Sequence, residues 1–260
     1  MGKDLVLTEL EEQIFEIRFE RADRMNALGV ATVEELLSAV STVSMKGGRV
    51  LLIRGSGRAF CAGADLKERK GMSLDQRLAH NAGIRAAFQA IEDSRFVTIA
   101  VINGLALGGG LELALACDLR IAASGISIGL TESRVGAFPG AGGTQRLPRV
   151  IGRSRALQMM LIAEPVSSEY AHEIGLVNEL VGPDELDAKA RSIARLLASR
   201  SAPALSEIKR LVAQGMDVSL EEGLMLEKAA LPAILGSADY AEGLAAFEEK
   251  RKPRFLETAK

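Results

Sequence analysis

Gly104-Leu105-Ala106-Leu107-Gly108-Gly109-Gly110-Leu111-Glu112-Leu113-Ala114-Leu115-Ala116-Cys117-Asp118 is the stretch on which the reading of this chain turns. From Gly104 to Cys117 every residue is glycine or apolar except one carboxylate, Glu112. An unpaired carboxylate is costly to bury, so a sequence that keeps one inside an apolar run gives it partners, a proton or a task. Glu112 is therefore the first candidate for chemistry. The glycines ahead of it can bring bare backbone N–H groups close to a ligand, and the run behind them has the length and composition of a buried helix. A helix opening at a glycine run points free N–H donors and its positive dipole end at any negative charge that develops there.

Working outward, residues 96–103 read as a buried strand feeding the glycine run, and 119–123 as a second apolar strand leaving it. Glu132 then closes another apolar stretch. A second glycine-rich loop follows it, Gly136-Ala137-Phe138-Pro139-Gly140-Ala141-Gly142-Gly143-Thr144-Gln145-Arg146-Leu147-Pro148. Upstream, 5–10 and 14–19 predict a hairpin with one face in the core. Val33, Leu36, Leu37, Val40 and Val43 fall at helical spacing, and 49–54 is a strand. This alternation points to an α/β build. Between them lies Gly57-Arg58-Ala59-Phe60-Cys61-Ala62-Gly63-Ala64-Asp65-Leu66-Lys67-Glu68, small residues ahead of a charged run. There the backbone can approach a ligand and Lys67 can meet an anion; the blander reading has Asp65 capping a helix. Residues 73–92 predict a polar outer helix able to act as a lid. Beyond Pro148 helices are expected over 153–163, 167–174, 183–198, 204–214, 220–235 and 238–251, with a short strand at 175–181. A soft boundary near Ser201-Ala202-Pro203 divides the chain into a core of residues 1–200, carrying the active site, and a helical region of residues 201–260. Those last sixty residues bury too little to stand alone and are expected to pack on the core or a neighbouring subunit.

The 260 residues are 48% hydrophobic, enough for a large core. No apolar run reaches membrane-spanning length, and the N-terminus has neither a signal core nor an acid-poor, arginine-rich leader, so a cytoplasmic or an already processed protein is expected. A net charge of −2 gives no global pull toward nucleic acid or an anionic membrane. Cys61 and Cys117 each sit in an apolar run and read as reduced core thiols. His80 and His172 stand alone and read as surface residues, and no cluster has metal-ligand spacing. Neither glycine loop has the spacing of a dinucleotide fingerprint or the Gly-Lys-Ser/Thr ending of a phosphate loop, and no Gly-x-Ser-x-Gly elbow is present.

Together these segments resemble the crotonase, or enoyl-CoA hydratase, superfamily almost end to end. The resemblance is carried by Arg24-Met25-Asn26-Ala27-Leu28, Phe60-Cys61-Ala62-Gly63-Ala64-Asp65-Leu66-Lys67, the opening glycine and Glu112 run, Glu132 ahead of Pro139-Gly140-Ala141-Gly142-Gly143-Thr144-Gln145-Arg146, and Ala246-Phe247-Glu248-Glu249-Lys250-Arg251. Each is moderately specific, and their order and spacing together are very specific. Within the superfamily the glycine run looks most like the methylglutaconyl-CoA hydratase branch. The resemblance implies an α/β spiral of β-β-α units with a C-terminal helical trimerisation region, and a homotrimer or a hexamer of paired trimers. It implies a CoA thioester whose carbonyl sits in an oxyanion hole made by the backbone N–H groups of Ala64 and Gly109. Contacts to CoA would fall on Ala62, Asp65, Leu66 and Lys67, and on Phe247 and Lys250 reaching in from the C-terminal region.

What this implies chemically is reversible syn addition of water to a trans-2-enoyl-CoA, with Glu112 activating the water and Glu132 delivering a proton to C2. CoA belongs to the substrate; no further cofactor and no metal is expected. The sequence leaves open a methylglutaconyl-CoA hydratase and a Δ3,Δ2-enoyl-CoA isomerase, which needs one carboxylate and no activated water. The same branch includes members that bind AU-rich RNA, but the helix over 32–46 carries Glu34 and Glu35 against only Lys46, so no nucleic-acid partner is expected. Ala22 replaces the proline that relatives carry after the arginine. Pro232 predicts a kink in the helix over 220–235. Arg134, close to Glu132, either receives a substrate carboxylate or only faces solvent.

Overall fold

The apolar runs of the first half lie side by side. The computed structural model describes residues 4–255. A hairpin of β1 (Leu5–Glu11) and β2 (Ile14–Phe19) is followed by α1 (Val30–Met45), and the chain then repeats one pattern three times. A strand in a large sheet leads to a short strand in a small sheet and then to helix. The first turn is β3 (Val50–Gly55), β4 (Ala59–Cys61), α2 (Leu66–Lys70) and α3 (Leu74–Glu92). The second is β5 (Val97–Ile102), β6 (Leu105–Leu107) and α4 (Gly109–Ala116); the third is β7 (Leu119–Ala123), β8 (Ser127–Gly129), α5 (Gly143–Ile151) and α6 (Arg153–Ile162). Then come β9 (Val166–Ser167), α7 (Ser168–Glu173), β10 (Glu179–Val181) and α8 (Leu186–Ala198), and last α9 (Ala202–Gly215), α10 (Leu220–Leu235) and α11 (Ala238–Glu248).

The large sheet runs β1-β2-β3-β5-β7-β10 and the small one β4-β6-β8-β9. Successive turns stack in parallel, with Val50 beside Val97, Ile99 beside Leu119 and Ala106 beside Ile128. This is the expected α/β spiral of β-β-α units with C-terminal helices. Parallel strands covered on both faces need unbroken apolar runs, which is what the sequence supplies. Leu51, Ile53, Ala100, Ile102 and Ala122 join Phe60, Phe88 and Leu111 in the main core; Val50, Leu52, Ile99, Val101, Ile121 and Ala123 face Leu186, Ala190 and Ala194 of α8.

Four expectations are corrected. β2 does not leave one face in water: it is an internal strand, so Glu16 is buried too and lies 3.8 Å from Arg54. The lid helix α3 is anchored, because Ile84, Ala87, Phe88 and Ile91 are in the core, while its first two turns are exposed. His80, on that helix, is buried rather than on the surface. The second glycine loop stops earlier than expected, since α5 starts at Gly143 and runs through Pro148. The expected helix over 220–235 is α10, which runs through Pro232 to Leu235; the proline lies in its last turn, where its carbonyl accepts from Gly236 N at 3.1 Å.

The C-terminal helices are tied to the core by Lys209. Its ammonium donates to Phe96 O at 2.6 Å and pairs with Asp118 at 2.7 Å, and Asp118 also accepts from Thr98 N at 2.7 Å. A cleft of about 1170 Å³ opens between α3 and α5 on one side and α9 and α10 on the other; its lining includes neither Glu112 nor Glu132. Leu220, Leu224 and Met225 of α10 are exposed. Among the described residues no helix is long and apolar enough to cross a membrane.

Candidate active site

The two glycine loops and the segment after β4 converge on Glu112. At the end of β6 Gly108 takes φ +52°, a conformation that costs glycine little, and its N–H donates to Gly129 O of β8 at 2.9 Å. That turn launches α4, whose next residues must also lack side chains. A Cβ on Gly110 would fall 1.9 Å from Cys61 O, so α4 packs backbone to backbone on β4. A Cβ on Gly63, at φ +90°, would come within 2.9 Å of Gly109 N, and one on Gly109 would lie 3.5 Å from Ala64 N. The amides of Ala64 and Gly109 are thus neighbours. Among the described residues neither donates to another group of the chain. The segment carrying Ala64 is fixed on its other side, where Leu28 N donates to Gly63 O at 2.8 Å and Asp65 N to Leu28 O at 3.0 Å.

Glu112 is 3% exposed. One carboxylate oxygen accepts two backbone N–H groups, Ala141 and Gly143, each at 2.8 Å. The second glycine loop is therefore a holder for the first. Arg146 steadies it, donating to Ala141 O at 3.0 Å and pairing with Glu92 at 2.6 Å. Burial pushes the Glu112 carboxyl above the usual carboxylate range, against the pull of the Gly143 and Ala141 amides and the charges of Arg146 and Arg69.

Glu132 stands at the mouth of a short 3-10 turn, its carboxyl next to Gly108: a Cβ on Gly108 would lie 3.1 Å from Oε1. Its Oε2 is buried without a hydrogen-bond partner. Burial, reinforced by the negative charge of Glu112, pushes Glu132 up to about 7, although the backbone amides of Glu132 and Thr131 work the other way. Two carboxyls thus face one space beside two unsatisfied amides, and near neutral pH one of them holds a proton while the other is clamped by donors.

The remaining sequence-selected residues divide. Ala62 N donates to Met25 O at 3.0 Å, and both Ala62 and Ala64 are half-buried. Asp65 is spent internally: its carboxylate caps α2 through Lys67 N at 3.1 Å and Glu68 N at 3.2 Å and pairs with Arg21 and Arg24 at 3.2 Å each. Leu66 and Lys67 are exposed at the start of α2. Phe247, 83% exposed, and Lys250 stand at the end of α11, which packs against α10. Arg134 pairs with Glu164 at the surface. Cys61 and Cys117 are buried thiols, each pushed by burial to about 12.

Sequence reading missed the donors to Glu112, Ala141 and Gly143. It also missed Arg69 and His80, whose Nδ1 accepts from Arg69 Nε at 3.2 Å. Asn26 was only part of a motif. It is fully buried at φ +56°, and its amide donates to Ser56 O at 2.9 Å and Ala59 O at 2.7 Å, fixing the turn from β3 to β4. The Asn in a polar loop was the one available signal, since asparagine tolerates a left-handed backbone.

The enoyl-CoA hydratase/isomerase family model matches residues 9–258. The human mitochondrial methylglutaconyl-CoA hydratase is 41% identical over 261 residues, covering 97% of this chain and 77% of that protein. A crotonyl-CoA hydratase of Syntrophomonas wolfei is 36% identical over 258 residues, covering 98% and 99%. Among solved structures, the enoyl-CoA hydratase of Bacillus anthracis superposes with a TM-score of 0.95 at 40% identity, covering 99% of this chain and 100% of that one.

Proposed function

From a chain that belongs to the enoyl-CoA hydratase/isomerase family we infer a hydratase, which adds water reversibly and syn across C2=C3 of a trans-2-enoyl-CoA to give a 3-hydroxyacyl-CoA. The observation that carries the choice is the pair of carboxyls. Glu112, held by two amides, takes a proton from the attacking water; Glu132, pushed up to about 7, gives its proton to C2. As water attacks C3, charge moves onto the thioester oxygen, which the amides of Ala64 and Gly109 receive. One such donor is worth about 3 kcal/mol of transition-state stabilisation. Each proton moves on a group of the chain, so the reaction as written uses no metal and no cofactor beyond the CoA of the substrate. An isomerase would leave one of the two carboxyls without work.

The exposed backbone and Lys67 at the start of α2 suit the CoA phosphates, and Ala62, Asp65 and Leu66 would meet CoA through their backbone, since the Asp65 carboxylate is engaged. Phe247 and Lys250 complete that site from a neighbouring copy in a trimer or a pair of trimers. The apolar side chains that α10 leaves exposed support this assembly. Two unpaired buried thiols support a cytoplasmic setting. Purified protein given crotonyl-CoA should bleach the ultraviolet absorbance of the conjugated thioester. Absence of hydration together with isomerisation of a 3-enoyl-CoA would overturn the choice.

A further inference from the structure

Glu112 Oε1 accepts two backbone N–H groups, and the two donors are not held in the same way. Gly143 N belongs to the Gly142–Gly143 peptide, whose carbonyl accepts from Gln145 N at 3.0 Å and from Arg146 N at 2.8 Å. The first turn of α5 therefore fixes that donor. Ala141 N belongs to the Gly140–Ala141 peptide, which lies in the loop ahead of the helix. Among the described residues the carbonyl of this peptide has one hydrogen-bond partner, the side-chain amide of Asn81, whose Nδ2 donates to Gly140 O at 3.2 Å. One peptide thus spends its oxygen on Asn81 and its N–H on Glu112.

Glycines at 140 and 142 flank Ala141, so local backbone preference does little to keep its N–H turned to the carboxylate. The restraint comes from α3. Asn81 is half-buried, three and seven residues before Ile84 and Phe88, which puts it on the stripe of α3 that faces the core. Its side chain lies against the loop, since a Cβ on Gly140 would stand 3.6 Å from both Nδ2 and Oδ1. The preceding residue, His80, is buried and accepts from Arg69 Nε at 3.2 Å, which pins this turn of α3 on its other side. A carbonyl that accepts a hydrogen bond also polarises the N–H of the same peptide, so Asn81 both aims and strengthens the Ala141 donor.

We propose that Asn81 is a positioning residue for the general base: it holds the Gly140–Ala141 peptide so that Ala141 N–H stays on Glu112. This rests on the hydratase reading of Glu112. The charges that act on Glu112 come from Arg69 of α2, Arg146 of α5 and Glu132, and a neutral substitution of Asn81 changes none of them.

The experiment measures crotonyl-CoA hydration across pH for wild type, Asn81→Leu and Asn81→Gln. Asn81→Leu keeps the volume and removes the donor. Its kcat should fall roughly 3- to 10-fold, the range of a neutral hydrogen bond, with KM little changed. The acid limb should move upward, because a base with a weaker donor keeps its proton to higher pH, while the basic limb, set by Glu132, stays. Asn81→Gln, which retains the amide, should lie between. Titration of the glutamate carboxyls by 13C NMR reads the same shift without turnover, with Glu112 identified as the signal missing from Glu112→Gln. If Asn81→Leu fails to fold, Asn81→Ala carries the same measurements. A Glu112 titration and an acid limb unmoved by loss of the amide would overturn the assignment, whatever the rate, and reduce Asn81 to a staple on the loop. Absence of hydration by wild type would instead remove the hydratase reading, and a Glu112 titration still sensitive to Asn81 would uphold the hold on the carboxyl.

Discussion

Gly143→Ala probes the clamp on the general base without touching either glutamate. The added Cβ would lie 2.7 Å from Pro139 Cβ, 3.0 Å from Glu112 Oε1 and 3.1 Å from Glu112 Cγ. None of these neighbours is the free end of a long side chain, so the loop and the carboxyl must separate. The bond most exposed to that movement is Gly143 N to Oε1, now 2.8 Å. A hydrogen bond to a charged group contributes about 1.5–3 kcal/mol, so kcat/KM for crotonyl-CoA should fall roughly 10- to 100-fold. The Gly143 amide is the largest influence holding the Glu112 proton affinity down. Its loss should move the acid limb of the pH profile upward, because the base must be ionised to act. The assay is initial-rate hydration across pH, with thermal melting of the variant as the control for folding. A near wild-type rate with an unmoved acid limb would refute the clamp.

Glu132 should make stability depend on pH. Folding raises its pKa from 4.5 to about 7, so its stabilising share is complete below about 4.5 and is lost as the pH climbs through about 7. Glu132→Gln should therefore be more stable than wild type at pH 8 by on the order of 2 kcal/mol, and not at pH 4, by urea titration; equal midpoints at pH 8 would count against a buried, proton-hungry Glu132. Gly110→Ala would put a Cβ 1.9 Å from Cys61 O and should cost about 3 kcal/mol or more, or abolish folding; an unchanged melting temperature would contradict the packing of α4 on β4. If the proposed trimer or hexamer is built through α10, replacing its exposed Leu224 and Met225 by aspartate should shift sedimentation to the monomer; an assembly unmoved by the change would contradict a contact through α10.

The α/β order, the buried strands and the helix after the glycine run are legible in the sequence because parallel strands leave unbroken apolar runs and α4 is apolar all round. The small sheet is not. β4, β6 and β8 are three residues each, too short for any periodicity, and they exist through pairing with one another across successive turns of the chain. α5 escapes notice for a different reason. Gly142 and Gly143 read as loop, yet Gly143 must be bare to approach Glu112, and that function overrides helix propensity. At the site, Glu112 stands out as a lone carboxylate in an apolar run. Its donors cannot be found that way, since they are backbone N–H groups whose side chains say nothing about their partner. His80 misleads because a lone histidine in a polar helix gives no sign that it is the residue facing inward.

The pairing of Glu112 with Glu132 is tested most directly by converting each to glutamine and measuring crotonyl-CoA hydration alongside binding of a non-reactive acyl-CoA. Each substitution should lower kcat about 100-fold or more, the usual weight of a positioned acid or base, while the acyl-CoA still binds. Hydration at near wild-type rate by either variant would contradict the two-carboxylate mechanism.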